Sequence, residues 1–144
     1  LSDYADEIDN QQIEVVLNFE VETITADPNG LSVALRNLIE NAKKFSKDVD
    51  KPTIWIKSVA TQDSVLLIVE DNGIGLPQSE LKKIFRKFYQ IGQSENMTAR
   101  GSGLGLYLAD SIARLHKGRI SADSKGTGHG SVFSVILPRG PSFG

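Results

Sequence analysis

Apolar and polar residues alternate from Ile13 to Phe19 and again from Val21 to Thr25, the period of two expected of short strands half-buried on a sheet. The rhythm then becomes helical. Asp27-Pro28 reads as a helix opening, with the acid as N-cap and proline in the first turn. Leu31, Ala34, Leu35, Leu38, Ala42 and Phe45 follow at helical spacing, so a helix with that stripe buried should run to about Phe45 or Ser46. Asn37, Asn41 and Lys44, spaced i, i+4, i+7, form a polar stripe along one edge of the buried face. After the polar break KDVDKP, strands are expected at Thr53 to Val59 and Val65 to Val69, naturally a hairpin, the second running straight into DNGIGLP. A short helix should follow from about Gln78 to Phe85 or Phe88, then a mobile polar loop over QIGQSENMTARGSG. Leu104, Tyr107, Leu108, Ser111, Ile112 and Leu115 mark a further helix that begins at GSGLGL. Closing strands near Arg119 to Asp123 and Ser131 to Leu137 flank the turn-rich KGTGHG. The fold class is α+β, a two-layer α/β sandwich with about three helices on one face of a mixed, mostly antiparallel sheet of about five strands.

Composition narrows this reading without redirecting it. At 144 residues and 40% hydrophobic, the chain is sized for one domain, 1–144, with a real core. It begins and stops abruptly, as an excised piece of a longer protein would. No apolar run is long enough to span a bilayer, and the opening LSDYADEIDN is acidic where a secretion signal would be basic. Cysteine is absent, which excludes disulfides, thiol nucleophiles and cysteine metal sites and agrees with a cytoplasmic setting. A formal charge of −2 gives no argument for nucleic acid or an anionic membrane as a partner, and neither is expected. Lys82, Lys83, Arg86 and Lys87 fall within about two helical turns and read as a solvated face, with a phosphate-facing or docking role as the alternative.

Three clusters carry chemistry. Asparagine is a poor helix former, so Asn37 and Asn41 beside a buried stripe cost stability that a binding role would offset. An amide oxygen can complete the shell of a Mg²⁺ otherwise held by phosphates and water, and Lys44 can neutralise a phosphate. Asp71, at the end of the hydrophobic run LLIVE, needs a donor partner if it is buried, and the exocyclic amine of adenine is one. As a turn, Asp-Asn-Gly is equally natural, and Glu70 is the competing acid, expected to face solvent. GSGLGL is similar to a phosphate-cradling turn at a helix N-terminus. Its spacing is not a dinucleotide fingerprint, the chain has no P-loop sequence, and the H-R-D and D-F-G elements of protein kinases are missing. The ordered set spells a site for ATP with Mg²⁺.

The combined pattern resembles the catalytic and ATP-binding domain of two-component sensor histidine kinases, in the Bergerat-type superfamily shared with gyrase, mismatch-repair proteins and heat-shock chaperones. NLIENAKKFS looks like the family's N box, DNGIG its first glycine box, FRKFYQ its F box and GSGLGL its second glycine box, while GHGSVFSVILP is similar to its terminal strand. The resemblance covers nearly the whole chain. It implies that Asn41 coordinates Mg²⁺, Asn37 supports metal and phosphates, Lys44 contacts phosphate and Phe45 packs on adenine. Asp71 would bind the adenine amine, and Gly73, Ile74 and Gly75 would seat the base. Gln90 and Arg100 would bracket the lid over the triphosphate, with Gly101, Ser102, Gly103, Leu104, Gly105 and Leu106 wrapping it. Ser131 would support the adenine end through water, and Phe85 and Phe88 would anchor the lid or simply fill core.

Within that superfamily the ATP-hydrolysing members carry a water-activating glutamate four residues before the metal asparagine, where this chain has Asn37. The resemblance therefore implies transfer in place of hydrolysis. The acceptor would be a histidine on the protein's own dimerisation and phosphoacceptor domain, since neither His116 in LHKG nor His129 in a glycine turn fits that role. A response regulator receiver domain would then take the phosphoryl group. The domain itself would be a monomer without membrane contact, the full-length protein a homodimer. Alternatives are an ATPase of the gyrase, mismatch-repair or chaperone kind, an anti-sigma serine kinase, and a nucleotide sensor that has lost transfer. Arg86, Arg100 and Lys117 depart from the residues common in the family.

Overall fold

The computed structural model describes residues 13–20, 26–46, 49–86, 104–126 and 128–138. Strand β1 (Glu14–Phe19) leads to helix α1 (Pro28–Phe45), the hairpin β2 (Thr53–Ala60) and β3 (Ser64–Asp71), helix α2 (Gly105–Leu115), and the pair β4 (Arg119–Asp123) and β5 (Ser131–Pro138). The sheet order is β1-β2-β3-β5-β4, with β1 parallel to β2 and every other pairing antiparallel. The mixed, mostly antiparallel five-stranded sheet is thus the one expected. The segment expected as a third helix is two 3-10 turns, Gln78–Glu80 and Lys83–Phe85, closed by i→i+3 bonds such as Leu81 N–H to the Gln78 carbonyl at 3.3 Å. The strand expected over 21–25, and the loop over 90–103, lie outside the described residues.

Strand alternation sends Ile54, Ile56, Val69, Phe133, Val135 and Leu137 to the inner face, where both helices cover them. On α1 the stripe is Ala34, Leu38 and Ala42, with Ile39 added and Leu31 and Phe45 half-buried at its margin. Helix α2 forms where it was expected, but the apolar residues that mark it are not the most buried ones. Ala109 and Ala113 are buried, whereas Tyr107, Leu108 and Leu115 point outward, Leu115 being 84% exposed. The small residues let α2 approach α1 closely, and helical spacing alone does not say which of two apolar faces is turned in.

The helix ends are tied together. Asp27 caps α1 by accepting from the Gly30 N–H at 3.2 Å, with Pro28 as the first helical residue. The Asp27 N–H donates to His116 Nε2 at 3.0 Å, so that nitrogen is the acceptor and Nδ1 carries the proton, which it gives to the Ile112 carbonyl at 2.9 Å. His116 therefore joins the start of α1 to the end of α2.

Helix α2 closes in a Schellman arrangement, Gly118 N–H to the Ala113 carbonyl at 2.8 Å and Lys117 N–H to the Arg114 carbonyl at 2.9 Å. Lys117 occupies the left-handed position, with φ of 64°. A lysine there bears a steric cost that glycine does not, so Lys117→Gly should stabilise the fold by roughly 1 kcal/mol. Urea unfolding of both proteins checks this; an unchanged or lower midpoint would contradict the assignment of strain to that residue.

Candidate functional site

Asp71 ends β3 on the inward side of the strand, in step with Val65 and Val69, and is only 3% exposed. A buried carboxylate requires donors. The Gly73 N–H donates to Oδ1 at 2.8 Å and the Ser131 hydroxyl to Oδ2 at 2.8 Å. Ser131 stands directly opposite Asp71 in the β3–β5 register, so its hydroxyl meets the carboxylate itself. Burial pushes the Asp71 carboxyl above its ordinary 3.8; the hydrogen bonds from Ser131 and Gly73 pull it part of the way back, and neighbouring Glu70 raises it slightly. Glu70 lies on the other face of the sheet, paired with Lys57 at 3.0 Å.

The glycine turn after β3 is pressed against the end of α1. The Ile74 N–H donates to the Phe45 carbonyl at 3.0 Å, and a side chain at Gly73 would collide with that same carbonyl oxygen. Gly75 adopts φ of 77° against the Gly126 carbonyl, which only glycine accommodates there. Gly130 N–H reaches the Gly73 carbonyl at 3.1 Å, so the β4–β5 turn closes the far side. Gly73 and Gly75 are buried while Ile74 is 51% exposed, its side chain directed away from the core. Sequence reasoning missed Asn72, whose side chain accepts from the Thr53 N–H at 2.8 Å and donates to the Lys51 carbonyl at 3.1 Å. An amide beside a strand-ending acid can satisfy both backbone polarities at once, and that was the available signal.

The polar stripe of α1 runs from this turn toward α2. Asn37 is half-buried, and a Cβ added at Gly105 would lie 3.2 Å from its Oδ1, so the start of α2 abuts that amide. Asn41 Nδ2 is buried with no hydrogen-bond partner among the described residues. Lys44 is exposed, and Phe45 is half-buried against the core. From Asn37 to Phe45 the helix rises about 12 Å, the order of the span from a nucleotide's base to its last phosphate. Leu104 and Leu106 are half-buried, and Leu104, at the N-cap of α2, supplies no side-chain acceptor to the first turn. Phe85 meets Phe133 edge to face at 6.3 Å, a core contact. Gln90, Arg100, Gly101, Ser102 and Gly103 lie outside the described residues, as does Phe88.

Among the described residues no group of three or more acids and histidines is placed to cage a metal ion. A cation here would need oxygen from elsewhere in addition to an amide. The Asn41 amide could supply one such oxygen, and its buried Nδ2, which has no hydrogen-bond partner among the described residues, is a donor suited to an anionic oxygen such as a phosphate's.

A two-layer sandwich with a strand-end carboxylate at the foot of a helix that bears an amide stripe is the arrangement of a class of nucleotide-dependent domains. The chain belongs to the histidine kinase-, DNA gyrase B- and HSP90-like ATPase family, which it matches over residues 26–141. It is 36% identical over 126 residues to the circadian input-output histidine kinase CikA of Synechococcus elongatus, covering 88% of this chain and 16% of CikA. It is 33% identical over 112 residues to the sensor protein kinase WalK of Staphylococcus haemolyticus, covering 78% of this chain and 18% of WalK. The chain therefore spans less than a fifth of either relative. Its fold matches the nucleotide-free catalytic domain of histidine kinase ThkA with a TM-score of 0.80 at 24% identity, over 97% of this chain and 89% of that one.

The raised Asp71 carboxyl has a defined consequence for stability. A folded-state value above 3.8 means that the folded protein holds this proton more tightly than the unfolded one. Stability from this group is then fully present below 3.8 and is lost as pH rises through the folded value. Asp71→Asn, which keeps the shape, can still accept from the Gly73 N–H and can donate to a Ser131 hydroxyl turned to accept, should thus gain stability relative to the wild type as pH increases, then level off. Urea unfolding across the acidic range measures this, and a pH-independent difference would refute the shift.

Proposed function

We propose that this domain binds Mg·ATP along α1 and donates the γ-phosphoryl group to a histidine on a separate dimerisation domain, from which a receiver-domain aspartate takes it. The observation that carries the reading is the buried Asp71 carboxylate, held by two donors. Such a group retains acceptor capacity for one more donor. Adenine offers an amine; guanine presents a carbonyl oxygen at the corresponding position, which the carboxylate would repel. Phe45 and the glycine turn would seat the base, with Gly73 and Gly75 keeping the seat free of side chains.

At the other end, Asn37, Lys44 and the first turn of α2 would meet the phosphates, and Gln90, Arg100 and the glycines from Gly101 to Gly105 would close over them. Asn41 would hold the Mg²⁺, which when bound offsets phosphate charge. The chain's own contribution is positioning, as phosphoryl transfer requires. In that transfer a histidine nitrogen bonds to the γ-phosphorus as the bond to the bridging oxygen of ADP breaks, and the imidazole proton leaves to solvent. Position 37 carries an amide that cannot deprotonate water, and Glu40, three residues further along the helix, is 3.7 Å from Lys43. Hydrolysis would therefore be slow and the phosphoryl group conserved for its acceptor. On this reading the protein works in a cytoplasmic compartment, as part of a homodimer.

Calorimetric titration with a non-hydrolysable ATP analogue tests the assignment. Binding should require Mg²⁺ and favour adenine over guanine. Asp71→Asn should lose affinity by at least tenfold, about 1.4 kcal/mol, and Asn41→Ala should lose the Mg²⁺ dependence. Unchanged affinity in both variants would sink the site.

A further inference from the structure

Ser124 follows β4 and is 5% exposed, and its hydroxyl touches segments far apart in the chain. Oγ donates to the Gly130 carbonyl at 2.6 Å and accepts from the Leu76 N–H at 3.1 Å and the Gly126 N–H at 3.1 Å. Its hydroxyl oxygen also lies 3.3 Å from the Gly126 carbonyl, but the single proton serves the shorter contact. The Ser124 carbonyl accepts from the Gln78 side chain. An ordinary buried serine satisfies itself on one nearby carbonyl. This one joins the strand end, the glycine turn after β3 and the β4–β5 turn.

The Gly130–Ser131 peptide is the part that matters. Its carbonyl is held by Ser124, while Ser131, which completes the same peptide, serves the Asp71 carboxylate with its hydroxyl. A peptide unit is planar, so fixing the carbonyl on one side fixes the Ser131 Cα on the other, from which that hydroxyl is carried. Gly130 is confined as well: φ is 74°, and a side chain there would strike the Asp71 carbonyl.

We propose that Ser124 is a positioning residue for Asp71: through the Gly130–Ser131 peptide and the Leu76 turn it sets the hydrogen bonds that hold the carboxylate in place to receive a base. It touches neither nucleotide nor metal in this role. The link to a base rests on the ATP-binding reading above; the link to Asp71 does not.

Ser124→Ala removes one donor and one acceptor from the junction and leaves Leu76 N–H, Gly126 N–H and the Gly130 carbonyl short of a partner. Ser124→Cys fills nearly the same volume with a weak hydrogen-bonding thiol, and serves if the alanine variant does not fold. Two quantities are read in each protein: affinity for a non-hydrolysable ATP analogue with Mg²⁺, and the titration of the Asp71 carboxyl carbon by NMR without nucleotide. We expect roughly tenfold weaker binding and an upward move of the Asp71 titration, because burial is then less opposed. A change in global stability alone would not move that titration. Unaltered titration and unaltered affinity in a folded variant would overturn the proposal. If the wild-type chain binds no analogue yet the variants shift Asp71, the positioning role stands and the nucleotide reading falls.

Discussion

The junction of α1, the glycine turn and β5 is organised by one buried carboxylate. Left alone, Asp71 at 3% exposure would cost several kcal/mol in lost hydration. The Gly73 N–H and the Ser131 hydroxyl offset that cost, and each comes from an element that had to be brought there. Gly73 arrives because the turn is pressed onto the Phe45 carbonyl; Ser131 arrives because β5 pairs with β3 in that register. The carboxylate thus records the correct docking of α1, the glycine turn and β5, and misplacing any one of them leaves a buried charge short of a partner.

Much of this was legible because the physics is local. Alternation located four of the five described strands within a residue or so, and Asp27-Pro28 announced α1 by the chemistry of its cap. The strand-end acid followed by glycines pointed to the turn that now cradles Asp71. What was illegible depends on partners distant in sequence. Nothing in the spacing of α2 told that Ala109 and Ala113 face α1 while Tyr107 and Leu115 face out, because both sets repeat with the same period. Ser124 stood before a turn-rich run as an ordinary turn residue, and its reach to Leu76, 48 positions away, exists only once the sheet is formed. Ser131 was expected to act through water; its direct contact with Asp71 follows from register, which no single strand reveals.

Helix α1 is the element both ends of the candidate site share. Its first residues are pinned to α2 through His116, its middle abuts Gly105 at Asn37, and its last carbonyl groups receive the glycine turn. A rigid helix held at three places cannot shift at one end without moving the other, so the Asp71 turn and the Asn37 contact with α2 are set at a constant separation. That suits a ligand of constant length. The two ends also differ: the carboxylate end is closed by protein donors, while the amide stripe ends in Asn41, whose buried nitrogen has no protein partner among the described residues. A polar atom left unsatisfied in this way is tolerated where a ligand completes it. The domain is therefore closed around Asp71 by its own donors and left with an unsatisfied donor at Asn41, which is the division that the proposed binding of a base at one end and phosphate at the other requires.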